Sequence, residues 1–137
     1  MSTAYAAFLL APVSGYPGYI ATVTRWDGTL GLPGGKVELG ELPFEAAIRE
    51  TFEEGWVIPG GAVLTLICER EVEGKRIAWY STNSQVKPAM FWKEQSRGIG
   101  PVPAPAESLP STGLGNNDAR IVKAANSFWS PEPSILR

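Results

Sequence analysis

A mixed β-sheet packed between helices, an α/β or α+β architecture, is the fold class that the order of elements predicts. Strand-like runs come first, an amphipathic helix follows them, and further strand-like runs precede a second helix. At 137 residues the chain has the length of one ordinary domain and is expected to form a single unit over 1–137. Its apolar fraction of 44% is enough for a real core.

The apolar runs "TAYAAFLLAPV" and "GYIATVTRW" flank the turn cluster "SGYPG" and read as a β-hairpin. "WDGTLGLPGGKVELGE" reads as a glycine-rich loop with a short strand over 36–39. Pro43 then opens a helix, where its missing N–H costs nothing. Phe44, Ala47, Ile48, Thr51 and Phe52 fall within an arc of about 140° and form the expected inward face. The helix is expected to end at about Glu54, with Gly55 taking the left-handed cap and Trp56 turning inward beside Val57 and Ile58. "AVLTLICEREVEGKRIAWYSTNS" predicts two strands about a turn at Glu73 and Gly74, with a third strand near "AMFWKE". "SRGIGPVPAPAESLPSTGLG" reads as a long loop. "NNDARIVKAANSFW" reads as a second helix with Ile121, Val122 and Ala125 inward, and "SPEPSILR" as a surface tail.

Charge and composition narrow the chemistry. A net charge of -2 argues against a broad basic surface for nucleic acid, though a local pocket can still be basic. The single cysteine, Cys68, excludes an internal disulfide and suits a reducing compartment. It lies in the apolar run "AVLTLIC" and reads as an inert thiol. With no histidine in the chain, a histidine base and His-ligated zinc are excluded, and any metal must be held by oxygen. No run approaches the roughly 20 apolar residues of a bilayer span. The start lacks a basic region and is broken by Pro12 and Gly15, so a cytoplasmic protein is expected, as monomer or homodimer.

The helix carries an unusual load of acid. Glu50, Glu53 and Glu54 cover an arc of about 100°, and like charges this close repel. Such a patch is either a solvated helix face or a place where carboxylates share divalent cations. Upstream, "LPGGK" supplies backbone able to approach a ligand closely and a lysine able to meet a phosphate. Composition alone leaves both readings open.

Spacing decides between them. The stretch Gly35, Glu41, Arg49, Glu50, Thr51, Phe52, Glu53, Glu54, Gly55, Trp56, Val57 resembles the Nudix box: Gly, five residues, Glu, seven residues, Arg-Glu, an aliphatic, any residue, Glu-Glu, any residue, Gly, an aliphatic. Every charged position matches. Thr51 stands at an aliphatic position, and Trp56 stands where the box has its glycine, with Gly55 one place early. The resemblance implies a Nudix-type sandwich and Mg²⁺- or Mn²⁺-dependent hydrolysis of nucleoside diphosphate derivatives. It implies that Glu53, Glu54 and the carbonyl of Gly34 are metal ligands, and that Glu50 is a ligand or the base activating water. Arg49 would orient the glutamates, with Glu41 supporting the loop.

Beyond the box the chain looks most like the MutT branch, which converts nucleoside triphosphates to monophosphates and pyrophosphate. "WKEQSRG" resembles the segment that brings in a further glutamate ligand, here Glu94, which reads otherwise as an exposed loop acid. "NNDARIVK" resembles the start of a helix whose asparagine reads the base edge; Asn117 would hold that place, or serve only as the helix cap. Arg25 and Lys36 would meet the phosphates, with an exposed strand-end arginine the plainer reading of Arg25. Trp26, Trp79, Tyr80 and Trp92 could stack on a base, although aromatics in strands more often fill a core. The alternatives are a Nudix hydrolase of ADP-ribose, dinucleotide polyphosphates or capped RNA, and an inactive nucleotide-binding domain, which Trp56 favours.

Overall fold

Successive side chains of a strand point to opposite sides, and the first strand uses this to serve two packing layers. The computed structural model describes residues 4–25 and 27–109. In it β1 (Ala4–Leu10) turns Ala7 and Leu9 to one side, and Phe8 and Leu10 to the other. Along the chain follow β2 (Pro12–Val13), β3 (Tyr16–Thr24), β4 (Leu30–Gly31), β5 (Gly34–Lys36) and helix α1 (Pro43–Glu53). Then come β6 (Trp56–Val57), β7 (Thr65–Val72), β8 (Lys75–Ser81), β9 (Lys87–Pro88) and β10 (Pro101–Ala104), with 3-10 turns at Lys93–Arg97 and Ala106–Ser108.

One sheet has the order β5-β1-β8-β7. It is mixed: β1 runs parallel to β8, with Ala4 opposite Lys75 and Leu10 opposite Ser81, while β5 and β7 are antiparallel to their neighbours. A second sheet, β10-β3-β2 with β4 also on β3, is antiparallel throughout, and β6 pairs with β9. Leu10, Ile20, Leu32, Ile77, Trp79 and Leu109 form one buried cluster. Leu9, Val13, Ala21, Val23, Trp56 and Val86 belong to another. Ala7, Ala46 and Ala47 seat α1 on β1, three small side chains that let helix and sheet approach closely. This is the mixed α+β architecture expected. No helix of the described residues is long and apolar enough to cross a membrane.

Several local expectations are corrected. The first apolar run is not one arm of a hairpin: β1 joins the mixed sheet, and only β2 folds back on β3. Pro12 lies in the edge strand β2, where a missing ladder donor is tolerated. The short strand expected over 36–39 instead spans Gly34–Lys36. "AMFWKE" is no strand, for Met90 and Phe91 are exposed and Lys93 begins a 3-10 turn. The proline-rich stretch read as loop contains β10, which pairs with β3 although it carries Pro101 and Pro103. Among the described residues only one flank of β10 is paired, so its prolines cost no ladder bond on the other side. The second helix expected over 116–129 lies outside the described residues.

Helix α1 begins as expected at Pro43, and the Glu45 carboxylate accepts the Leu42 N–H at 2.9 Å, half of a capping box. Its buried residues are Ala46, Ala47 and Thr51, whereas Phe44 and Phe52 are exposed. The inward face is therefore rotated from the predicted one, and the acidic residues lie on its flank. Thr51 is fully buried, and among the described residues its hydroxyl meets no partner. At the other end Glu54 is no longer helical, and Gly55 takes φ +107°. A Cβ on Gly55 would lie 2.6 Å from Pro101 Cδ. Trp56 turns inward as expected and is fully buried, its indole N–H donating to the Thr22 carbonyl at 2.9 Å. Its partners are those of the Leu9 cluster, including Ile58, while Val57 stays exposed.

Gly55→Ala combines backbone strain with a clash, so a loss of about 2–3 kcal/mol is expected in urea unfolding. Gly60→Ala, where a Cβ meets nothing and φ is not positive, should stay within about 0.5 kcal/mol. Thr51→Val removes an orphaned hydroxyl without changing shape. A gain of about 1–2 kcal/mol is expected, seen as a higher urea midpoint at unchanged slope.

Candidate active site

Arg49 projects from α1 back over the loop that precedes it. Its Nε donates to Glu41 Oε2 at 2.8 Å and its Nη2 to Glu41 Oε1 at 3.1 Å, a two-pronged pair. Nη2 also donates to the Lys36 carbonyl at 2.9 Å, and Nη1 to Glu50 Oε2 at 3.2 Å. Glu53 follows at 3.4 Å, one helical turn on. The bond from Arg49 holds the Glu41 carboxyl below its usual range, helped by the Glu38 N–H.

The two glycines of "LPGGK" let the acids approach the backbone. A Cβ on Gly35 would stand 2.5 Å from the Glu50 carboxyl carbon, so a larger residue there would push that carboxylate from its place. Gly34 takes φ +152°, and a Cβ there would meet the Ala7 carbonyl at 2.2 Å. Its N–H donates to Glu54 Oε1 at 2.9 Å. Glu54 is the most deeply placed of the acids. Burial raises its pKa to about 8, against the Gly34 bond, and the charges of Glu50, Glu94 and Glu53 add to the rise. Burial also raises Glu50, with Arg49 opposing it.

Glu94 sits in the 3-10 turn Lys93–Arg97, close enough to Glu50 and Glu54 for its charge to act on both. Its side chain is only 16% exposed and accepts from Arg97 Nη1 at 3.1 Å. It is no exposed loop acid. Lys93 reaches Glu53 at 3.5 Å. Lys93 and Arg97 were not singled out from the sequence. Their signal was the spacing of opposite charges around Glu94 in "KEQSR", one residue before it and three after.

Lys36 ends β5 with its side chain exposed, on the rim of a groove of about 380 Å³ that Tyr5, Phe8 and Lys75 also line. Arg25 stands at the start of the β3–β4 turn, its guanidinium against Gly31, where a Cβ would be 2.1 Å away. Trp79 is core, Tyr80 packs at the edge of the alanine cluster, and Trp92 lies against Gly55 and Gly100. Trp26 and Asn117 fall outside the described residues.

Whether these residues suit a divalent cation can be judged from their chemistry. Among the described residues no three acids stand around one point at ligand distance; Glu50 and Glu53 turn to Arg49, Glu54 to the Gly34 N–H and Glu94 to Arg97. The donors are nevertheless all hard oxygens, and Glu54 is driven to hold a proton by its surroundings. A crowded, half-buried set of carboxylates of this kind fits Mg²⁺ or Mn²⁺.

Comparison with known proteins agrees with the box. The family model described as NUDIX domain matches residues 14–107. No curated protein matches the sequence significantly. Among solved structures, an ADP compounds hydrolase superposes with TM-score 0.70 at 14% identity, over 95% of this chain and 76% of that one. MutT, in a study of the enzymes of Aliivibrio salmonicida and Vibrio cholerae, gives 0.68 at 18% identity, over 93% and 99%. The MutT NUDIX hydrolase of Burkholderia pseudomallei gives 0.58 at 21%, over 89% and 99%. Identities this low establish a shared fold. With the family model spanning well over half of the chain, this protein belongs to the Nudix family and is a Nudix hydrolase.

Proposed function

We propose that the chain is a Mg²⁺-dependent nucleoside triphosphate pyrophosphohydrolase, with Mn²⁺ able to substitute, releasing pyrophosphate and a nucleoside monophosphate. The observation that carries this is the gathering of Glu50, Glu53, Glu54 and Glu94 beside a glycine loop ending in Lys36. Glu53, Glu54, Glu94 and the Gly34 carbonyl would hold the metal, and Glu50 would either join them or accept the proton of the attacking water. When bound, the metal neutralises phosphate charge and makes water a stronger nucleophile. Arg49 orients the acids, and Glu41 fixes Arg49. Lys36 and Arg25 meet the outer phosphates, and Asn117 reads the base. Water adds to one phosphorus of the α–β anhydride, the bridging oxygen leaves with the other fragment so that monophosphate and pyrophosphate result, and the proton passes to the base.

Trp56 gives no support to an inactive domain. It is absorbed into the core, and Glu54 still reaches Gly34. A nucleotide panel with Mg²⁺ tests the substrate. Pyrophosphate from triphosphates supports the proposal, while hydrolysis confined to ADP-ribose or dinucleotide polyphosphates would replace it.

Glu54→Gln should lower turnover about a hundredfold or more, the scale for losing a group that stabilises transition-state charge. The fold should survive. The folded pKa of Glu54 lies above its ordinary 4.5, so its contribution is fully present below about 4.5 and fades as pH rises through about 8. With chelator present, the wild-type melting temperature should fall between pH 5 and 8, and Glu54→Gln should flatten that slope. Undiminished activity in this variant, or in excess chelator, refutes the mechanism.

Asn117→Ala should change base preference about tenfold while leaving turnover on the best triphosphate nearly intact. Lower stability with unchanged preference would assign Asn117 to helix capping alone.

A further inference from the structure

Trp92 belongs to none of the buried clusters, yet it is tied down on several sides. After β9 the chain runs back along the end of α1, where the Ala89 N–H donates to the Gly55 carbonyl at 2.7 Å. Met90 and Phe91 are exposed, and then Trp92 turns in. Its indole lies against two bare α-carbons. A Cβ on Gly55 would be 3.1 Å from Trp92 Cδ2, and one on Gly100 would be 2.9 Å from Cζ2. The indole N–H donates to the Ile99 carbonyl at 2.6 Å, closing the loop that contains Lys93–Arg97. Thr24 of β3 grips the far end of that loop. Its hydroxyl donates to the Gly98 carbonyl at 3.1 Å and accepts the Gly100 N–H at 3.1 Å.

Glu94 is therefore carried on a turn whose near end is pinned by an aromatic plane to the end of the acidic helix. We propose that Trp92 is a positioning residue: by packing on Gly55 and Gly100 and closing the loop onto Ile99, it sets the Glu94 carboxylate beside Glu50 and Glu54 for divalent-cation binding. This rests on the reading of Glu94 as a cation ligand. It also accounts for the second demand on Gly55, whose missing side chain makes room for the indole as well as for its own φ.

The test is calorimetric titration of Mn²⁺ alone into metal-stripped wild type, Trp92→Phe, Glu94→Gln and the double variant. Phenylalanine keeps a ring on the glycines and deletes the N–H. Expected is about a tenfold loss of Mn²⁺ affinity in Trp92→Phe, the scale for groups that orient ligands. The double variant should bind no more weakly than Glu94→Gln, because both changes act through one carboxylate. With saturating Mn²⁺, the nucleotide KM should stay near the wild-type value. Gly100→Ala, which crowds the indole but keeps it, should reproduce the loss if Trp92→Phe fails to fold. Wild-type Mn²⁺ affinity in the Trp92 and Gly100 variants, or losses that multiply in the double variant, overturn the proposal while leaving the Glu94 reading intact. Wild-type Mn²⁺ affinity in Glu94→Gln overturns that reading and the proposal with it.

Discussion

The guanidinium of Arg49 is the interaction on which the site depends. It bonds Glu41 and the Lys36 carbonyl on the loop, and Glu50 and Glu53 on the helix that follows. One partly buried cation thereby fixes the distance between the backbone that would face a phosphate and the acids that would face a cation. Its planar fork suits this in a way a lysine ammonium could not, since it offers several donors in a fixed geometry. Such a centre is also unforgiving. Deleting the cation would leave acids half-buried without compensation, a larger loss than the pairs themselves are worth.

Around this hub the protein accepts an electrostatic cost. Glu54 is pushed to a pKa of about 8 mainly by burial, with its acidic neighbours adding to the effect. The apolar seat of the helix is made by Ala46 and Ala47 against Ala7 and does not use these acids. A group kept in an unfavourable state by its surroundings stands ready for whatever relieves it, which is how sites tuned for chemistry differ from sites tuned for stability.

Much of this was legible in the sequence because the box is local. The helix start at Pro43, its end before Gly55, the burial of Trp56 and the turn at Glu73 and Gly74 all follow from residues adjacent in the chain. So does the family, through the spacing of charges. What was not legible was decided at a distance. The run that looked like one hairpin arm divides at Ala11, because β1 finds a parallel partner in β8. A proline-rich stretch becomes β10 because β3 offers it an open edge. The inward face of α1 is turned from its apolar arc because alanines, not phenylalanines, fit against Ala7. Glu94 was found by resemblance, but what Trp92 packs on and closes is set by Gly55, Ile99 and Gly100, and the reach of Lys93 to Glu53 by the return of the chain to α1.

The parallel pairing of β1 with β8 also sets an order of assembly. Residues 4 and 75 must meet before the central pair of the mixed sheet exists, whereas the glycine loop and α1 are separated by only a few residues. Loop-closure entropy favours the near contacts first, and topologies rich in distant pairings fold slowly. The loop–helix unit with its arginine can form early. The turn bearing Glu94 has to wait, because Thr24 and Gly100, which hold it, lie 76 residues apart in the chain. Early in folding the acids of α1 thus stand together without their distal member, and the complete carboxylate set is a late product of long-range closure.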